Sequence, residues 1–236
     1  MALTSYGIIT GMVLPVIMFP STFINSFSSL LIPEFSCYLA QNNSKGIAFI
    51  SKKIFFLTSI FSICIASVFI LFSNEISLVV YQNLESAKYI KILAPLVFFM
   101  YMDSVIDSIL KGLNQQVSVM CCNIADLIIS ISLLYFLLPI CGINGYIIVI
   151  FISEILNFTI SILQLYKIAN FKFLIFSWLI KPIFACFLSF SIINIVNVNY
   201  TSNVTINLIF KIMLYIIVYL LLTVLLYKKN FKSFKI

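Results

Sequence analysis

Seven stretches of this chain stay apolar over lengths that match a bilayer crossing. They run from about 7–33, 54–73, 92–112, 118–140, 145–166, 177–197 and 208–227. A hydrocarbon layer about 30 Å thick takes about 20 helical residues. Inside it, backbone N–H and C=O groups find partners only in a helix or a closed barrel. Barrel strands alternate apolar and polar side chains over about ten residues, whereas these runs are continuously apolar. The expected fold class is all-α: a polytopic membrane helix bundle of about seven transmembrane helices. It forms one transmembrane domain over 1–236, with no soluble domain. Composition points the same way, with 63% hydrophobic and 9% charged residues. A soluble domain carries about 25% charged residues, so a soluble globular enzyme and a disordered chain are excluded.

The residue types that are missing narrow the chemistry. The chain has no His, which removes His-based acid–base catalysis, His metal sites and Ser-His or Cys-His nucleophile pairs. Cys37, Cys64, Cys121, Cys122, Cys141 and Cys186 form no CxxC motif and read as small apolar residues in helices. No metal and no cofactor is expected, and the chain does not read as an enzyme. Intramembrane aspartyl proteolysis needs two carboxylates meeting across helices, but Asp103 and Asp107 share one helix and no GxGD string occurs. A retinal protein needs a Lys near the middle of its last helix, and Lys211 lies near an end. The net charge of +7 is not arranged as a basic stripe with interleaved aromatics, so nucleic acid is not an expected partner.

The excess of Lys instead sets orientation. The connections after spans one, three and five, with the C-terminal tail, hold Lys45, Lys52, Lys53, Lys111, Lys167, Lys172, Lys181, Lys228, Lys229, Lys232 and Lys235. The opposite side holds Lys88, Lys91 and Lys211, with Glu75 and Glu85 nearby. The positive-inside rule then places the N-terminus outside and the C-terminus in the cytoplasm of a multi-pass plasma-membrane protein. Residues 34–50 read as a cytoplasmic connection with a short interfacial helix. Residues 74–91 read as an external connection, and Gly142 and Gly145 as a tight turn.

Polar groups inside the apolar runs mark a candidate pathway, because an ionisable side chain in a span normally faces a bundle interior or a wet cavity. Asp103 and Asp107 lie four residues apart, on one helix face. Asn123, Asp126 and Ser130 form a second stripe, and Glu154, Asn157, Ser161 and Gln164 a third. Ser21, Asn25 and Ser28, with Thr22 and Ser29 alongside, form a fourth. The transport-pathway residues are therefore expected to be Asp103, Asp107, Asp126, Glu154, Asn25, Asn123 and Asn157. The competing reading is interhelical hydrogen bonding, and for Asp107 a local ion pair with Lys111. Pro15, Pro20 and Pro95 are the expected helix kinks, a device found beside the binding sites of transporters that rock between two states.

Four segments together resemble a known family. They are YGIITGMVLPVIMFPSTFINSFSSLLIPEFS (6–36), ILAPLVFFMYMDSVIDSILKGLNQQ (92–116), LLPICGINGYIIVIFISEILN (137–157) and the Lys-rich tail. They resemble the C-terminal half of the stage V sporulation protein B family. That family is part of the polysaccharide and oligosaccharidyl-lipid flippase superfamily, related to MurJ-type lipid II flippases and MATE transporters. The resemblance implies about fourteen helices in two lobes around a central cavity. The seven spans here would be the C-terminal lobe. It implies outward transfer of a lipid-linked cell-wall or polysaccharide precursor by alternating access, with sporulation cortex synthesis as one setting. Membrane lipid, the lipid-linked sugar precursor and a separately encoded N-terminal lobe would be the partners. The alternative is a truncated or split-gene fragment, inactive alone or acting as a membrane scaffold.

Overall fold

A computed structural model describes residues 2–169, 175–196 and 204–227. Every regular element among them is helical. The order is α1 (Ala2–Ile8), a π-helical turn (Ile9–Val13), α2 (Leu14–Met18), α3 (Ser21–Ala40), α4 (Ser44–Leu71), α5 (Ser73–Tyr81), α6 (Leu84–Leu93), α7 (Leu96–Gly112), α8 (Gln116–Cys141), α9 (Ile143–Ala169), α10 (Ile175–Val196) and α11 (Val204–Leu226). Among the described residues, four helices are long and apolar enough to cross a membrane: Ser44–Leu71, Gln116–Cys141, Ile143–Ile168 and Val204–Leu226. The number rises to six if the bent pairs Leu3–Met18 with Ser21–Ala40 and Leu84–Leu93 with Leu96–Gly112 each count as one crossing. The segment read as 177–197 falls on α10, whose apolar described stretch is the shorter Leu179–Ile192. Residue 197, Lys172 and the tail lysines lie outside the described residues.

The chain divides into two compact units, Met1–Thr58 with Pro95–Phe173, and Ser59–Ala94 with Leu174–Ile236. In the first unit α7 is the central rod. Val97, Tyr101, Val105, Ile106, Ile109 and Leu110 are all buried on it, and it packs against α3 and α9. Between membrane helices lipid tails are as apolar as Leu, so packing and interhelical hydrogen bonds supply the association. Both are visible. The Tyr101 hydroxyl donates to the Ile17 carbonyl at 2.9 Å, and the Ser36 hydroxyl to the Gly112 carbonyl at 3.0 Å. Phe99 meets Phe158 edge-on at 5.4 Å and holds α7 to α9. α8 and α9 form a hairpin closed at Gly142, whose φ of 56° is a conformation that favours glycine.

Two sequence expectations change here. Residues 34–50 contain no separate interfacial helix, because α3 runs through Pro33 to Ala40 and α4 starts at Ser44. The turn between them closes on Asn42 at φ 51°, a backbone state that Asn tolerates. Pro15 also sits within the continuous Leu3–Met18 segment rather than at its bend. The π turn precedes it, with the Leu14 N–H reaching back to the Ile9 carbonyl, and the widened ring accommodates a residue with no N–H of its own. The 51° bend falls at Pro20, between Met18 and Ser21. Pro95 stands at the second break as the residue that caps α7.

The second unit has its own tyrosine-rich centre. Tyr219 is fully buried with Cys64 and Ala185, and its hydroxyl donates to the Ile60 carbonyl at 3.0 Å. The Tyr215 hydroxyl donates to Ser67 Oγ at 2.8 Å. Each phenol thus buries its ring while its polar end keeps a partner. Lys181, read from sequence as a loop residue, lies inside α10, with its ammonium 5.0 Å from the centre of the Tyr227 ring.

Candidate functional site

The polar side chains of the first unit divide into two groups by what they bond. On α3 most are satisfied by their own helix. Ser21 donates to the Met18 carbonyl, Thr22 to Phe19, Ser26 to Thr22 and Ser29 to Ser26. Such back-bonding lets a hydroxyl face lipid without a lost hydrogen bond. The stripe on the first span is therefore mostly self-contained. Asn25 and Ser28 are exceptions: the Asn25 side-chain oxygen accepts from the Ser104 hydroxyl across the α3–α7 interface, and the buried Ser28 hydroxyl has no partner among the described residues.

On α7, α8 and α9 the polar groups face one another. A cleft of about 390 Å³ is lined by Met100, Asp103, Ser104, Asp107, Asn123, Asp126, Leu127, Glu154 and Asn157. It gathers six of the seven pathway residues expected from sequence, with Asn25 attached at its edge through Ser104. Helix periodicity explains the gathering. Asp103 and Asp107 share the α7 face, Asn123 and Asp126 lie three apart on α8, and Glu154 and Asn157 three apart on α9. The face is wide enough to bring four carboxylates to one cleft, and no Lys is among its lining residues. Lys111, one turn beyond Asp107, acts on both Asp103 and Asp107 from outside it.

Neutral side chains, Asn123 beside Asp107 among them, hold the acidic ones. Asn157 Nδ2 donates to Asp103 Oδ2 at 3.0 Å. The Ser153 hydroxyl lies 2.8 Å from both carboxylate oxygens of Asp126. Ser161 stands beside Asp103 and Asp107. Asp103 is 8% exposed, and its Oδ1 has no hydrogen-bond partner among the described residues. The side-chain oxygen of Asn157 is likewise unpaired. Burying a charged or polar group without a partner is costly, and persistent exceptions ask for an explanation in function.

Ser104 and Ser153 were not singled out in the sequence, although a signal for each was present. Ser104 lies three residues before Asp107, and Ser153 four before Asn157, the spacings that share a helix face. A serine in a span reads as neutral, and only the neighbouring helix shows which serines meet a carboxylate. Among the described residues, no group of three or more His, Cys, Asp or Glu side chains is placed to hold a metal ion.

A family model described as MatE matches residues 1–136. That range runs from α1 through most of α8. It includes Asn25, Asp103, Asp107, Asn123 and Asp126, and stops before Glu154 and Asn157. No curated protein and no solved structure matches the chain.

Proposed function

The chain belongs to the MatE family of membrane transporters, and on that premise we propose that the carboxylate cleft between α7, α8 and α9 is its transport pathway. The observation that carries this reading is the convergence of Asp103, Asp107, Asp126 and Glu154 on one cleft that has no Lys in its lining. Such a concentration of acidic groups in apolar helices is an expensive way to join them. It suits a site that binds and releases a proton or a monovalent cation as the protein changes state. The bend at Pro20 and the break at Pro95 supply helix ends that can reorient in such a cycle.

The cargo that the sequence resemblance favours is a lipid-linked cell-wall or polysaccharide precursor, carried outward as in a flippase. Its pyrophosphate would find no Lys in the lining of this cleft, so the groups that meet it lie outside the cleft. The N-terminus lies outside and the C-terminus in the cytoplasm. A reporter active only in the cytoplasm, fused after Ile236, is expected to be active, and a silent fusion on a stably expressed chain would reverse the orientation.

Co-expression with a second membrane lobe that lines the cleft with cationic groups is expected to restore lipid-linked sugar export in a flippase-deficient host. Glu154→Gln in the same pair is expected to remove that export. An assembled pair that leaves export at the deficient level would refute the cargo. An unimpaired Glu154→Gln pair would refute the pathway.

A further inference from the structure

We propose that the helix end at which Lys181 meets Tyr227 binds the phosphate of an anionic phospholipid, with Lys181, Lys228 and Lys229 as the cations that hold it. The site belongs to the second unit and uses none of the cleft residues.

Positive charge is unevenly spread along the chain. Residues 1–154 hold six Lys and seven Asp or Glu, whereas residues 155–236 hold eight Lys and no acidic residue. The lysines of the second stretch have no carboxylate within it to pair with. Lys181 shows the consequence. It lies inside α10 and is half-buried, with no ion pair and no hydrogen bond among the described residues. Its ammonium is not closed off from the surface, and it stands 5.0 Å from the centre of the Tyr227 ring.

The ring is a fixed platform. Tyr227 is fully buried, and its N–H bonds the Thr223 carbonyl at 3.0 Å, which continues the last turn of α11. Lys181 reaches it from α10, which packs along α11. Lys228 and Lys229 lie outside the described residues. The peptide bond alone keeps the Cα of Lys228 about 3.8 Å from that of Tyr227, with Lys229 one residue further. Three cations thus share one helix end, where the terminal carbonyls of α11 also favour positive charge.

A phospholipid matches this end better than a soluble anion does. The α10 face that carries Lys181 continues into Phe184 and Leu188, three and seven residues on, which are 54% and 37% exposed. A long Lys side chain lies along apolar surface and sends its charge to the membrane boundary. An anionic phospholipid has the same order, a charged phosphate above acyl chains, so one molecule meets both the ammonium and the apolar face. Inorganic phosphate meets only the ammonium. The N–H donors of Lys make charged hydrogen bonds to phosphate oxygens.

The test uses the single Trp of the chain, Trp178, one helical turn before Lys181 on α10. The full chain is placed in phosphatidylcholine vesicles. Quenching of its fluorescence by brominated phosphatidylglycerol is compared with quenching by brominated phosphatidylcholine. Phosphatidylglycerol is expected to be preferred at least about fivefold, the scale of one Lys near an anionic surface. Lys181→Gln is expected to lower that preference about fivefold with its cooperative melting transition kept, and Lys181→Arg to retain it. Lys211→Gln, near the opposite end of α11, is expected to leave it unchanged. Inorganic phosphate, set against chloride at equal ionic strength, is expected to leave it unchanged too. Equal quenching by the two lipids, or a Lys181→Gln protein with the full preference, would overturn the site and leave Lys181 as a helix-end cation only. An equal loss in Lys211→Gln would overturn it in favour of net charge, and a preference abolished by inorganic phosphate but not by chloride would make the occupant a soluble anion. Sugar export enters none of these measurements, so this site and the cargo can fail separately.

Discussion

Asp103→Asn is expected to produce a protein that is more stable than the unaltered chain and inactive in transport. The substitution keeps the shape of the side chain and an oxygen to accept from Asn157, and it removes a carboxylate that is 8% exposed with one oxygen unpaired. A buried, incompletely satisfied charged group costs about 1–3 kcal/mol or more, so its removal raises the melting temperature measured in detergent. The same charge is what a pathway needs to hold and release a cation, so transport falls at least about tenfold, the equivalent of about 1.4 kcal/mol. Opposite signs for stability and activity are the mark of a strained functional site. An Asp103→Asn protein that melts lower and transports normally would make Asp103 a packing residue. Asp126→Asn provides the contrast. That carboxylate already accepts from Ser153, so a smaller gain in stability is expected.

The second large effect is expected at Gly112. A Cβ built there would lie 2.7 Å from Phe35 Cβ and 2.8 Å from the Ile32 carbonyl oxygen. One of those neighbours is backbone and cannot swing aside. Gly112 ends α7 where it crosses α3, and its carbonyl accepts the Ser36 hydroxyl at 3.0 Å. Gly112→Val is therefore expected to push the two helices apart and cost at least about 1–3 kcal/mol, the range for overpacking a tight contact. Small residues that let backbones approach are a principal source of helix association in membranes, so little else compensates. Thermal denaturation in detergent measures the loss, and Gly112→Ala should fall between the two. Gly7→Ala is the control, since a Cβ there meets nothing within 4 Å. Equal melting of Gly112→Val and the unaltered chain would show that α3 and α7 do not approach this closely.

Both predictions turn on helix neighbours, and that is where reading the chain in one dimension stopped. Asp103 and Asp107 were visible as one face because their spacing matches the helix turn. Nothing in that spacing told which helix they would face, or that Asn157 would bond Asp103. The serines of α3 looked as polar as those of α9, yet Ser26 and Ser29 bond within their own helix, while Ser153 reaches Asp126. Of the three prolines expected to kink helices, Pro15 lies in a continuous segment, because a π turn absorbs its missing donor.

Hydrophobicity and the backbone's need for hydrogen bonds were enough to require helices, a lipid surroundings and polar residues gathered on helix faces. Those are local consequences of residue type and period, written along the chain. Which faces meet, where an apolar run breaks, and which oxygens are left unpaired depend on contacts between residues far apart in sequence. Packing of whole helices settled them, as α7 shows by lying against α3 on one side and α9 on another.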